Sequence, residues 1–246
     1  MDRRVKYLLG VDTETCNGQE PDLSCSLVYD VGWCITDKRG RIYLERSFVV
    51  REIFFGLSDV MKSAYYAKKI PRYLADIREG KRQVKSLLEI YSIFKRDCKD
   101  WNVQAIFAHN ARFDYTALNT TLRLVTCSRM RYFFPYGVEI WDTLKMSRQT
   151  IAKQVGYQLF CEKYGFTLKT GKPRTTAEVL TRYLTGNVKF QESHTGLEDV
   201  QIETKILAQC IKQHKKMEKR LFPNRELTNW PPILIWKKQH LNMAWG

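Results

Sequence analysis

The chain has 246 residues, of which 44% are hydrophobic, and its 41 basic and 26 acidic side chains give a formal net charge of +15. This composition excludes a disordered chain and a small disulfide-stapled fold, and the length is sufficient for one large core. The excess of positive charge favours a polyanionic partner, either nucleic acid or an anionic membrane surface, and does not by itself choose between them.

The cysteines and the N-terminal residues bear on location. The seven cysteines are odd in number and form no CxxC pair, so we expect reduced thiols and a cytoplasmic protein. The apolar run over residues 5–11 ends at acidic residues and is too short to span a membrane. We interpret it as a strand, and no membrane partner is expected.

The first half of the chain begins with strands and continues with helices. Between residues 54 and 101, Val84, Leu87, Leu88, Tyr91 and Phe94 recur at helical spacing, which predicts two helices split near Gly80. Three β-rich stretches precede them and predict an antiparallel meander, at residues 5–15, 26–36 and 41–50.

The second half predicts parallel strands with helices between them. We expect a strand at 105–108, a helix at 113–124, a strand at 132–141, several short helices within 142–183 and a last helix over 197–217. This order favours an α/β fold with a mixed β-sheet, three antiparallel strands then parallel strands, flanked by helices. We expect one domain over residues 1–220 and a Trp- and Pro-rich tail over 221–246.

The first chemical signal is a pair of carboxylates at the end of the first strand. Asp12 and Glu14 are two residues apart, so their side chains share one face of that strand. Two like charges side by side destabilise each other unless a cation lies between them, and hard oxygen ligands favour Mg²⁺ or Mn²⁺. The alternative is an exposed strand end with two solvated acids.

Two further signals follow along the chain. Asp114 comes just after a predicted strand, where functional groups gather in α/β folds, although an acid in the first turn of a helix is also favoured by the helix dipole. His194 precedes Asp199 by five residues, in a turn that enters the last helix. A histidine can deprotonate water near neutral pH, whereas a lone histidine at a helix start is usually inert.

Taken in order, these motifs resemble those of the DnaQ-like DEDDh 3′-5′ exonuclease family of the ribonuclease-H-like superfamily. The matching segments are Asp12-Thr13-Glu14, His109-Asn110 through Phe113-Asp114, and His194 with Asp199. The resemblance spans roughly residues 5–216. Gly196 stands where the family often has alanine, a small difference, and residues 54–80 and the tail match no part of the family.

The resemblance implies a ribonuclease-H-like fold and a two-metal-ion mechanism. Asp12, Glu14, Asp114 and Asp199 would be catalytic residues that hold two Mg²⁺ or Mn²⁺ ions, and His194 would be the catalytic base. The products would be nucleoside 5′-monophosphates. The substrate contacts that the family pattern implies are Thr13, Thr15, Asn110 and Phe113, while Asp142 is expected to be structural.

Three functions follow from these expectations. The favoured one is a 3′-5′ exonuclease acting on single-stranded DNA ends in replication, proofreading or repair, with a polymerase or another replication protein as a partner suggested by family analogy. A ribonuclease that trims RNA or oligoribonucleotides is the alternative, because no motif reveals 2′-hydroxyl contacts. A non-catalytic nucleic-acid-binding scaffold belongs to another class, and the complete set of acids and histidine argues against it.

Overall fold

A computed structural model describes residues 5–16, 26–62, 64 and 66–223. Its centre is a six-stranded sheet. The strands are β1 (Leu8–Cys16), β2 (Leu27–Thr36), β3 (Ile42–Val50), β4 (Gln83–Lys85), β5 (Ala105–Ala108) and β6 (Glu139–Asp142). They lie side by side in the order β4-β3-β2-β1-β5-β6.

The strand pairing confirms the predicted mixed sheet. β1, β2 and β3 form the antiparallel meander, and β5 and β6 continue the sheet in parallel with β1. β6 begins at Glu139 instead of residue 132, because Pro135 has no N–H for a ladder and Gly137 has a φ of +80°. The residues before it, Phe133 and Phe134, are buried in the core instead.

The helices lie between and after the strands. In chain order they are α1 (Arg51–Phe54), α2 (Ser58–Lys62), a 3₁₀ turn (Ala67–Lys69), α3 (Ile70–Arg78), α4 (Leu87–Asp100), α5 (Ala111–Thr126), α6 (Thr143–Gln149), a second 3₁₀ turn (Ile151–Lys153), α7 (Val155–Lys163), α8 (Ala177–Thr185) and α9 (Gly196–Lys212). The predicted group of short helices within 142–183 and the long last helix are confirmed.

Of the two helices predicted between residues 54 and 101, the second and the split near Gly80 are confirmed, and the first is wrong. Residues 58–78 instead fold as α2, a 3₁₀ turn and α3, and the edge strand β4 lies between α3 and α4. Gly80 has a φ of +73°, so helix ends there, and Val84 pairs with Val49 of β3. Ser86 then starts α4 through a capping box with Glu89. A three-residue strand carries too little periodicity to be recognised among helical residues.

The sheet separates two apolar layers. The layer with α4 and α5 contains Leu9 and Val11, and the layer with α6 to α9 contains Leu8 and Phe107. Because side chains alternate along a strand, Asp12 and Glu14 project on the side of α9, and Thr13 projects on the side of α5. This alternation places the first carboxylates against the last helix.

The chain returns to β6 after α9. The Asp142 N–H donates to the Lys219 carbonyl at 2.8 Å, and the Leu221 N–H donates to the Ile140 carbonyl at 2.7 Å. The Phe222 ring contacts the Tyr115 ring with a centroid separation of 5.3 Å. Residues 224–246 of the expected tail lie outside the described residues, and the division at residue 220 stays a prediction.

In the described segments, no helix combines the length and the apolar character that crossing a membrane requires.

Candidate active site

The start of α9 lies directly against the meander because two glycines face each other. A Cβ on Gly32 of β2 would lie 2.1 Å from the backbone nitrogen of Leu197. A Cβ on Gly196 would lie 2.6 Å from the backbone nitrogen of Gly32 and 2.9 Å from the backbone carbonyl oxygen of Asp12. Side chains at either position would therefore push the helix away. The close approach brings Asp199 to the end of β1.

A cleft with a volume of about 610 Å³ opens at this edge of the sheet. It collects side chains from all three motifs. The predicted site residues that line it are Asp12, Thr13, Glu14, Thr15, Asn110, Phe113, His194 and Asp199. Asp114 is buried just behind them and accepts a hydrogen bond from the Thr13 hydroxyl at 2.8 Å. Residues as far apart in the sequence as Asp12 and Asp199 thus lie in one site. Thr13 holds Asp114, a predicted metal ligand, by this hydrogen bond.

Three of these side chains could bind one cation together. Ligand atoms of Glu14, His194 and Asp199 all lie within 4.8 Å of one another. Two are carboxylates and one is an imidazole, and each is partly or largely buried. The structure therefore presents His194 next to the predicted metal ligands, close enough to act on a group that they hold.

Electrostatics favour a cation in the cleft. Burial, reinforced by neighbouring acids, raises the pKa of Glu14 to about 9. Burial also raises the pKa of Asp114 to about 7 and that of Asp199 to about 6, despite hydrogen bonds that lower both. For Asp12, burial and then the charge of Glu203 raise the pKa well above its ordinary value. A cation would relieve this repulsion.

The donor set fits hard divalent ions. Carboxylate oxygens dominate, as Mg²⁺ and Mn²⁺ prefer. One more carboxylate oxygen in the cleft wall, Oε2 of Glu203, is buried without a hydrogen-bond partner. The residues present therefore suit the metal ions that the sequence predicts.

His194 is held by residues that the sequence analysis left unassigned. The Tyr66 ring stacks on its imidazole with centroids 4.5 Å apart, and Lys69 donates hydrogen bonds to the Ser193 carbonyl and, at 3.2 Å, to the His194 carbonyl. The backbone of His194 has a φ of +50°. Burial and then the nearby Lys69 charge lower the pKa of its imidazole, which favours the neutral form that accepts protons.

A buried ion pair ties the same unassigned segment to α9. Asp30 of β2 is fully buried and accepts hydrogen bonds from the Tyr73 hydroxyl at 2.7 Å, the Arg82 guanidinium at 3.2 Å and the Gly196 N–H at 3.0 Å. Arg82 also donates to Asp76 at 3.0 Å. The first amide of α9 is therefore fixed by Asp30, which Tyr73 of α3 and Arg82, just before β4, hold in turn.

His109 of the second motif and Asp142 at the end of β6 stabilise the cleft wall. His109 contacts the Thr143 hydroxyl through Nδ1 at 3.0 Å and the Thr175 carbonyl through Nε2 at 2.8 Å, and burial lowers its pKa to about 4. Asp142 accepts hydrogen bonds from the Leu144 N–H at 3.0 Å and the Asn110 N–H at 3.2 Å. Asp142 is a helix cap, in line with the structural role expected for it.

Sequence reasoning missed several residues of the cleft. Tyr66, Arg148, Arg174, Glu192 and Glu203 line it and belong to no predicted motif. Only Glu203 had a usable signal, because it follows Asp199 by four residues on a helix and therefore shares its face. The others reach the cleft from loops and helices whose positions depend on the tertiary fold.

Comparison with known proteins gives fold matches alone. No protein-family model matches the chain, and no curated protein matches its sequence. Cell-death related nuclease 4 (CRN-4) is similar in structure, with a TM-score of 0.53 and 11% identity over 87% of this chain and 67% of the nuclease.

Exonuclease I of E. coli is a second structural relative. Its complex with a dT13 oligonucleotide matches at a TM-score of 0.52 and 13% identity, and its complex with dA16 at 0.53 and 14%. Each match covers 85% of this chain and 42% or 41% of Exonuclease I, so the chain spans about two fifths of that enzyme. Identity at this level shows a shared fold, and the fold is one that exonucleases use.

Proposed function

We propose that the chain is a metal-dependent 3′-5′ exonuclease that hydrolyses single-stranded nucleic acid ends to nucleoside 5′-monophosphates. The observation that carries this proposal is the meeting of Glu14, His194 and Asp199 within 4.8 Å at one end of the sheet, with Asp12 beside them in the same cleft. These residues come from two motifs about 180 positions apart.

In the proposed mechanism, four carboxylates hold the ions and one histidine moves a proton. Asp12, Glu14, Asp114 and Asp199 would bind two Mg²⁺ or Mn²⁺ ions, which supply Lewis-acid stabilisation of the charge that develops in a phosphoryl transfer. His194 accepts a proton from the attacking water. The water oxygen bonds to the terminal phosphorus as the bond from phosphorus to the preceding 3′ oxygen breaks, so the terminal nucleotide leaves as a 5′-monophosphate. The 3′ oxygen takes a proton from solvent and becomes a 3′ hydroxyl.

The remaining cleft residues would position the strand. Thr15, Asn110 and Phe113 line the cleft beside the acids, where Phe113 would stack on the terminal base without reading its sequence. Thr13 is also a predicted contact, although its hydroxyl already donates to Asp114. The exposed Arg148 and Arg174 at the cleft wall would attract the phosphate backbone.

Single-stranded DNA is the substrate that we favour. The oligonucleotides in the Exonuclease I complexes are dT13 and dA16, and the fold is shared. RNA trimming is the alternative within the same chemistry. A role in replication, proofreading or repair, with a polymerase or another replication protein as partner, stays a prediction of the resemblance.

The test uses 5′-labelled single-stranded DNA and RNA of the same sequence, with Mn²⁺, Mg²⁺ or EDTA. We expect a ladder of shortened 5′-labelled products with either metal, no cleavage in EDTA, and loss of cleavage in Asp12→Asn. A matched control is Asp100→Asn, which changes an acid at the end of α4, outside the residues that line the cleft. Strand binding without any cleavage, with either metal, would support the non-catalytic scaffold instead.

A further inference from the structure

Glu203 is a carboxylate that none of the three motifs includes. It lies on α9, one helical turn after Asp199, and its side chain lines the cleft. Only 3% of the residue is exposed, and Oε2 has no hydrogen-bond partner. The carboxyl accepts a hydrogen bond from the His109 backbone, but a carboxylate oxygen that stays buried without a partner is costly unless a positive group approaches it.

Two buried acids elsewhere in the fold have hydrogen-bond partners that include a positive group. Asp30 is paired with Arg82 at 3.2 Å and also accepts from Tyr73 and the Gly196 N–H. Asp97 accepts from the Trp33 indole at 3.0 Å and from Arg46 at 3.2 Å. Among the described residues, Oε2 of Glu203 is the buried carboxylate oxygen without a hydrogen-bond partner.

The neighbours of Glu203 are themselves acidic. Its carboxyl interacts electrostatically with Asp12, Asp114 and Asp199, which are the predicted metal ligands, and with Glu192. Among the neighbouring charges on the Asp12 carboxyl, that of Glu203 has the largest effect. The fold therefore places a further negative charge against Asp12, while the basic side chains Lys69 and Arg182 act on Asp199 and Glu192.

We propose that Glu203 is a fifth carboxylate of the divalent-ion site, where it contributes charge and an oxygen donor next to Asp12. This inference rests on the proposed function, since it assumes that the cleft binds divalent ions. Glu203 reaches the site from the same face of α9 as Asp199. The helix thus supplies two carboxylates one turn apart, and β1 supplies Asp12 and Glu14 opposite them.

The test is the affinity of the full-length protein for Mn²⁺ alone, measured by calorimetric titration. Glu203→Gln keeps the shape of the side chain and removes its charge. Glu162→Gln is the matched control, because Glu162 is exposed on α7 and does not line the cleft. Asp12→Asn serves as the reference for a lost metal ligand.

We expect Glu203→Gln to weaken Mn²⁺ binding by about 10-fold to 100-fold, the range found when groups that support a metal site are removed. Glu162→Gln should bind like the parent. Circular dichroism and thermal unfolding report whether Glu203→Gln is folded. If it is not, Glu203→Asp, which keeps the charge and withdraws the oxygen, takes its place and should also bind more weakly than the parent.

Two other results separate the inference from the proposed function. Parent-like Mn²⁺ affinity in the folded Glu203 variant, together with loss of binding in Asp12→Asn, would overturn the role of Glu203 and leave the metal-dependent site intact. A parent protein that binds no Mn²⁺ would overturn both.

Discussion

Asp12, Glu14 and Asp199 repel one another whenever all three are ionised in a cleft without a cation. Burial increases this repulsion, because fewer water molecules screen the charges. The raised pKa values of all three acids express the same cost. These acidic residues therefore lower the stability of the folded protein without a cation and favour the binding of one.

The first prediction concerns stability against pH. The folded-state pKa of Asp199 is about 6 and that of Asp114 about 7, both above the ordinary 3.8. The native state then holds more protons than the unfolded state from about pH 4 upward, so stability falls as pH rises through these values. In EDTA, the midpoint of thermal unfolding should decrease from about pH 5 to about pH 8, and Mn²⁺ should raise it most at the higher pH. Equal pH slopes with and without Mn²⁺ would contradict this account.

The second prediction separates proton transfer from metal binding. If His194 is the base, His194→Gln should lower kcat by about 10²-fold to 10⁴-fold and leave Mn²⁺ affinity close to that of the parent. His214→Gln is the control, because His214 is exposed and lies outside the residues that line the cleft. A large loss of Mn²⁺ affinity in His194→Gln would instead make His194 a ligand, which its distance to Glu14 and Asp199 also permits.

Residue spacing explains which part of the site could be predicted from the sequence. Asp12 and Glu14 are two residues apart on a strand and therefore share one face of it. His194 and Asp199 lie on either side of a helix start, so local geometry brings the members of each pair together. Lys69 and Tyr66 contact the His194 loop from more than 120 positions away, and no local pattern encodes that contact. The contacts of Lys69 and Tyr66 with this loop could therefore be recognised only in the folded structure.

At the scale of elements, the segment from α1 to β4 fixes the start of α9. Arg82 and Tyr73 hold Asp30, and Asp30 holds the Gly196 N–H. Tyr73 belongs to residues 54–80, which the family resemblance left unmatched, and Arg82 follows them, so this part of the chain supports the third motif. The sequence predicted helices here and missed β4, because a short polar edge strand lacks a distinguishing period.

The third prediction tests this connection. Arg82→Leu would leave Asp30 buried without its cation, which typically costs about 3–5 kcal/mol of unfolding free energy. The control is Arg72→Leu, since Arg72 pairs with Glu198 on the surface, where a pair contributes about 1 kcal/mol or less. Urea unfolding measures both variants. Similar losses in the two would show that the buried pair contributes no more stability than the surface pair.

The fourth prediction concerns the contact between Gly32 and Gly196. Because a Cβ on Gly196 would lie 2.6 Å from the Gly32 nitrogen, Gly196→Ala should cost about 1–3 kcal/mol through overpacking and reduce cleavage by moving Asp199. Alanine, which the family that the motifs resemble often has at this position, would therefore disturb the packing here. Gly156→Ala, in helix α7 beside the end of the Tyr183 side chain, is the control and should be near neutral or stabilising. Parent-like stability and activity in Gly196→Ala would contradict the packing argument.

At the scale of the whole molecule, an acidic cleft lies in a chain with a net charge of +15. Such a distribution suits a nuclease, because the overall field attracts a polyanion while the local field retains cations. The mixed sheet could be predicted from the order of strands and helices. The full set of residues that line the cleft could not be predicted, because Arg148 and Arg174 reach it from α6 and from the loop before α8.

The most direct test of the central claim is the identity of the product released from single-stranded DNA in Mn²⁺. The account predicts nucleoside 5′-monophosphates, released stepwise from the 3′ end by the parent protein and lost in Asp12→Asn. Internal fragments, nucleoside 3′-monophosphates, or the same release by Asp12→Asn would contradict it.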